Sequence, residues 1–143
     1  MGTSRRGVTL VELTLTMTII GVATAVTVPR TAAAVDRLSV RAAAQDVLVA
    51  FAAARATAAR RGAYVSFVAD PARGRVRVVS GGTVLQERDL ARLHGVRLAA
   101  TRESVTFAPS GLGWGAANTT VVVSRGGQVD TIVTSRLGRI RHN

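Results

Sequence analysis

The chain has 143 residues, a formal net charge of +11 carried by 19 arginines against eight acids, and neither lysine nor cysteine. That length holds one small domain plus a membrane anchor. The lack of cysteine excludes disulfide staples and thiolate metal sites, and two histidines (His94 and His142) without clustered carboxylates assemble neither a catalytic triad nor a metal centre. The sequence therefore predicts a non-enzymatic chain with no catalytic residues, no metal and no cofactor. Its positive balance favours polyanionic partners. The same richness in Ala, Arg, Val and Gly is also what a GC-rich genome writes whatever the function.

The first element is a hydrophobic span. From Val8 to Val28 the only ionisable side chain is Glu12. About 20 helical residues reach roughly 30 Å, the thickness of a bilayer's hydrocarbon core. Arg5 and Arg6 stand just before the span and would hold that end in the cytoplasm. A carboxylate within hydrocarbon costs several kcal/mol and needs a partner. A free ammonium could supply one if the chain were cut after Gly7, which would make Val8 the first residue and Glu12 the fifth.

Gly7-Val8-Thr9-Leu10-Val11-Glu12, behind a short basic leader and ahead of the span, resembles the class III signal of type IV pilins and type II secretion pseudopilins. The resemblance implies removal of residues 1–7 by a prepilin peptidase and methylation of the new amine on Val8, a position where Phe or Met is commoner in the family. It further implies that Glu12 meets the amine of a neighbouring subunit during filament assembly, and that Gly21 and Pro29 sit where the family's helix loosens and bends. The implied location is the bacterial inner membrane, single-pass, with the C-terminal domain outside the cytoplasm. Two other readings compete. Ser4-Arg5-Arg6 looks like a twin-arginine export signal, and Ala23-Thr24-Ala25 like a signal-peptidase site. Either would give an exported soluble or singly anchored protein, and the uncompensated Glu12 argues against both. Loss of the leader would remove two arginines, taking the side-chain charge from +11 to +9.

Residues 30–61 are Ala-rich and free of Gly and Pro, and predict an amphipathic helix continuing residues 8–29. Val35, Leu38, Ala42, Leu48, Phe51 and Ala58 mark its expected stripe, with Val47 and Ala54 beside it. Pro29 should bend the helix and not end it. Arg60-Arg61 followed by Gly62 signals the C-terminus. From residue 63 the period becomes two, and residues 63–143 read as an antiparallel domain with a basic tail. Strands are expected at 63–69, 75–80, 83–86, 96–100, 104–108, 119–124 and 129–134. Residues 87–94 read as a loop or a short helical turn, His94 as a surface-loop residue, and 109–115 as a Gly-rich loop carrying Trp114.

One long N-terminal helix followed by antiparallel hairpins gives an α+β fold. Within pilin-like proteins this order of pieces resembles the GspH/FimT branch, through Phe107-x-Pro109-x-Gly111, the hairpin around Gly126-Gly127 and the tail Gly138-Arg139-Ile140-Arg141. That resemblance implies a minor pilin or pseudopilin whose partners are the peptidase, other filament subunits and the inner membrane. A Gly-Arg-x-Arg tail is associated in this branch with holding double-stranded DNA during natural transformation, which nominates Arg136, Arg139 and Arg141. Guanidinium suits phosphate because its planar fork donates two hydrogen bonds to one group. Arg73, Arg75 and Arg77 form a second basic set, read as a solvated strand face.

Overall fold

The computed structural model describes residues 7–115, 118–135 and 140–142. The chain divides into two compact units, Met1–Ala34 and Val35–Asn143. Helix α1 runs Leu10–Arg61, and its backbone stays helical through position 29. Within the first unit its surface is apolar and exposed, and among the described helices it is the one long and apolar enough to cross a membrane. The hydroxyls of Thr14, Thr16, Thr18, Thr24, Thr27 and Thr31 donate to carbonyls three or four residues earlier. Each of these hydroxyls is thereby satisfied inside its own helix, which is what a hydrocarbon surrounding demands.

In the second unit the order is β1 (Val65–Asp70), β2 (Arg75–Ser80), β3 (Thr83–Asp89), α2 (Leu90–His94), β4 (Arg97–Ala100) and β5 (Ser104–Phe107). There follow β6 (Gly113–Trp114), β7 (Thr119–Arg125), β8 (Gln128–Thr134) and β9 (Ile140–His142). All pairings are antiparallel. They build two sheets, a five-stranded one in the order β3-β2-β1-β5-β6 and a four-stranded one in the order β4-β7-β8-β9. A register shift between Val78 and Val79 gives β3 an extra residue, Leu85, whose side chain packs partly against the core.

Strict alternation sends Val65, Phe67 and Ala69, Val76 and Val78, and Val105 and Phe107 inward from the first sheet. Leu98, Val121, Val123 and Ile132 do the same from the second. The helix answers with Val40, Ala43, Ala44, Val47, Ala50, Phe51, Ala54 and Ala58, an i, i+3, i+4 pattern. Phe51 stacks on Phe67 with ring centroids 3.8 Å apart and planes 19° apart.

This buried face corrects the expected stripe. Phe51 and Ala58 lie on it, whereas Leu38 is 66% exposed, Val35 and Ala42 are exposed, and Leu48 is half-buried. Alanines make up most of the true face. Their small side chains let the helix lie close to the sheets, so weighting the larger apolar residues turns the stripe to the wrong side. The region 87–94 resolves into the end of β3 and then α2. Pairing also reaches the expected Gly-rich loop, where Gly113–Trp114 forms β6 beside Thr106–Phe107, and the basic tail, where Ile140–His142 pairs with β8.

Candidate functional site

The N-terminal residues form one candidate site. Gly7 and Val8 precede the helix and are exposed. Thr9 caps it: its Oγ1 accepts the Glu12 N–H at 3.2 Å and its carbonyl accepts the Leu13 N–H at 3.1 Å. Thr9-Leu10-Val11-Glu12 thus has the Thr-x-x-Glu spacing of a capping box, a local signal the sequence reading passed over. Glu12 lies in the first turn, where the unpaired N–H groups favour negative charge. Gly21 lies inside α1 with nothing within 4 Å of where a Cβ would stand. Pro29 is also within α1.

The basic positions separate sharply. Arg73 pairs with Asp70 at 3.2 Å, and Arg75 bridges Glu87 at 3.3 Å and Asp89 at 3.0 Å. Asp70 is held below the usual carboxylate range, first because it accepts the Arg73 backbone N–H and then through the Arg73 guanidinium. The expected solvated strand face is therefore cross-linked by carboxylates at Arg73 and Arg75. Of the tail positions, Arg141 lies on β9 opposite Val133 and is exposed. Arg136 and Arg139 lie outside the described residues.

His94 is not a surface-loop residue. It ends α2, and its Nε2 sits 2.9 Å from Asp46 Oδ2 on α1. Beside it Arg125, at the end of β7, donates from Nε to Asp36 Oδ1 (2.8 Å) and from Nη1 to Ser39 Oγ (3.1 Å) and the His94 carbonyl (2.5 Å). One guanidinium thus ties the start of the second unit's helix to α2 and to the β7–β8 hairpin. Gly95 and Gly126 make room for it. Both have positive φ, and a Cβ would meet Arg125 at the first and the Asp36 carboxylate at the second. Trp114 is 60% exposed and meets Tyr64 edge-on, with ring centroids 5.1 Å apart. Among the described residues no three His, Asp or Glu side chains converge as a metal site.

A long helix with an apolar first half and an acid in its opening turn, followed by a domain of antiparallel sheets, is the architecture of a pilin-like protein. The GspH family, described as Type II transport protein GspH, matches residues 43–138, and the chain belongs to it. Its fold is similar to that of the type IV minor pilin FimU of Pseudomonas aeruginosa PAO1, at 19% identity and a TM-score of 0.63 over 75% of this chain and 90% of FimU. A second crystal form of FimU gives 17% identity and 0.59, over 72% of this chain and 91% of that one. The minor pseudopilin EpsH of the Vibrio cholerae Type 2 Secretion System gives 15% identity and 0.54, over 76% of this chain and 95% of EpsH. No curated protein matches the chain by sequence.

Proposed function

We propose that this protein is a minor structural subunit of a bacterial type IV filament system, either a pilus or a type II secretion pseudopilus. The observation that carries the reading is the N-terminal segment: an apolar stretch, residues 8–28, whose only acid, Glu12, lies in the first turn of α1, on a chain that belongs to the GspH family. The span anchors the subunit in the inner membrane with the domain outside the cytoplasm. A prepilin peptidase cuts between Gly7 and Val8, and the new amine, methylated or not, faces the Glu12 carboxylate of a neighbouring subunit as the filament grows. Pairing two charges there offsets much of the cost of taking each from water. Gly21 and Pro29 give the helix its compliance during that transfer.

Mass spectrometry of the protein made together with its peptidase tests the cut. The expected product begins at Val8. A chain beginning at Val26 would favour the exported soluble reading, and an intact Met1 would refute processing. Glu12→Ala is expected to keep membrane insertion and lose co-purification with assembled filaments.

A second reading has double-stranded DNA as a further partner, held through phosphates by Arg136, Arg139 and Arg141. Its support is the +11 charge together with Arg141 standing exposed on β9 while Arg73 and Arg75 are occupied by carboxylates. DNA retention by the full-length protein in micelles should then fall steeply with salt. Changing Arg139 and Arg141 to Gln should flatten the slope by roughly 0.9 per lost phosphate contact. Retention that ignores both salt and these substitutions would remove the reading.

A further inference from the structure

The end of the domain where α1 stops is both aromatic and basic. Tyr64, just past that end, is 49% exposed, and Trp114 on β6 is more exposed still. Their rings meet edge-on with planes 68° apart. Such a contact uses the edge of one ring and a single face of the other, so ring faces remain open to solvent. Strand pairing sets this arrangement. Trp114 stands opposite Thr106 on β5, and Thr106 opposite Ser66 on β1. Alternation therefore puts both rings on the side of the five-stranded sheet turned away from Val65, Phe67 and Phe107.

Positive charge gathers at the same end. Residues 52–69 and 104–115, which build it, contain Arg55, Arg60 and Arg61 and no acid. All three arginines are exposed. The carbonyl end of a helix offsets only about half a unit charge, which leaves this end positive. Arg55 reaches the turn ahead of Trp114, its Nε standing 3.5 Å from where a Gly111 Cβ would lie. Between helix and turn runs a groove of about 350 Å³, with Ala52, Ala56 and Ala59 on one side and Ser110 and Gly111 on the other.

We propose that this end binds single-stranded nucleic acid, with a base stacked on Trp114 and the phosphates held by Arg60 and Arg61. A duplex hides its base faces, whereas a single strand offers them to an aromatic platform whatever its sequence. Guanidinium supplies the paired hydrogen bonds that phosphate accepts. The proposal does not rest on the tail arginines, since it uses other residues and another form of nucleic acid.

Trp114 is the chain's only tryptophan, so its fluorescence reports the contact directly. Full-length protein in neutral detergent micelles is titrated with oligothymidylate of about 12 nucleotides, within the usual range of one site. A duplex of the same length and inorganic polyphosphate are titrated separately. The single strand should quench the tryptophan saturably, and neither control should. By anisotropy of labelled oligonucleotide, Trp114→Ala should weaken binding roughly fivefold to a hundredfold, and Trp114→Phe should recover most of that loss. Changing Arg60 and Arg61 to Gln should flatten the salt slope by roughly 0.7 per lost phosphate contact. Changing Arg139 and Arg141 to Gln should leave the quenching in place. Four results would overturn the proposal: no quenching at low salt, binding indifferent to Trp114→Ala, equal quenching by duplex or polyphosphate, or quenching abolished by the tail substitutions alone.

Discussion

At the residue scale, Glu12 and Arg125 show two ways a charge is made tolerable. Glu12 sits in the first turn of α1, beneath unpaired N–H groups and one hydrogen bond from the Thr9 cap. Arg125 instead serves three acceptors from two nitrogens, at Asp36, Ser39 and the His94 carbonyl. Lysine has one nitrogen and no planar fork, so Arg125→Lys should lose at least one of these bonds. The expected cost is about 1.5–3 kcal/mol, because the lost bonds involve a charged donor. Chemical denaturation of wild type and variant checks it, and equal midpoints would show that the guanidinium geometry is dispensable. Gly126→Ala should be destabilising too, since the new Cβ meets the Asp36 carboxylate and the backbone there has φ +55°.

Packing and pH sensitivity are decided among the elements. The stripe on α1 runs through alanines with Phe51 at its centre, so Phe51→Ala should cost about 3–5 kcal/mol by opening a cavity against Phe67. Leu38→Ala, on the exposed side, should change stability by about 0.5 kcal/mol or less. Thermal melts that ranked these two variants the other way would put the buried face elsewhere. Helix α2 has only five residues and depends on its caps. Asp89 Oδ1 accepts the Arg92 N–H at 2.9 Å while Oδ2 holds Arg75. These hydrogen bonds, the backbone one first, keep the Asp89 carboxyl below its ordinary range. With the folded value below the unfolded one, the stabilisation is complete above about pH 4 and is lost as pH falls through the lowered value. Asn caps a helix as well as Asp but does not titrate. Asp89→Asn should therefore soften the acid-side loss of stability in melts taken between about pH 5 and pH 2.5, and an unchanged acid limb would show that other groups govern it.

For the whole molecule, the two units should answer to different substitutions. The hydrophobic core described for the second unit is built from residues between Val40 and Ile132, all of that unit. Glu12→Ala should therefore leave the domain's thermal transition unchanged while impairing filament incorporation. Phe51→Ala should lower that transition without altering the N-terminal cut. A joint effect of either substitution, read by melting and mass spectrometry on the same preparation, would mean that the units share stability.

Much of this was legible in the chain itself, because the signals were local. An apolar run continued by a Gly- and Pro-free amphipathic stretch up to Arg60-Arg61-Gly62, and a change of period from 3.6 to two, announced the long helix and the antiparallel strands, while the residues around Gly7 and Glu12 carried the resemblance to pilins. Gly7, Val8 and Glu12 lie within one short stretch, so they can be nominated as a site without a fold. Three-dimensional proximity decided the rest. Alanine carries almost no directional weight in a sequence pattern, so only packing revealed which side of α1 is buried. A two-residue strand such as Gly113–Trp114 exists because Thr106 and Phe107 offer it partners. His94 with Asp46, Arg125 with Asp36, and Tyr64 with Trp114 come from positions tens of residues apart. Their meeting depends on how two sheets close over one helix, which no local pattern encodes.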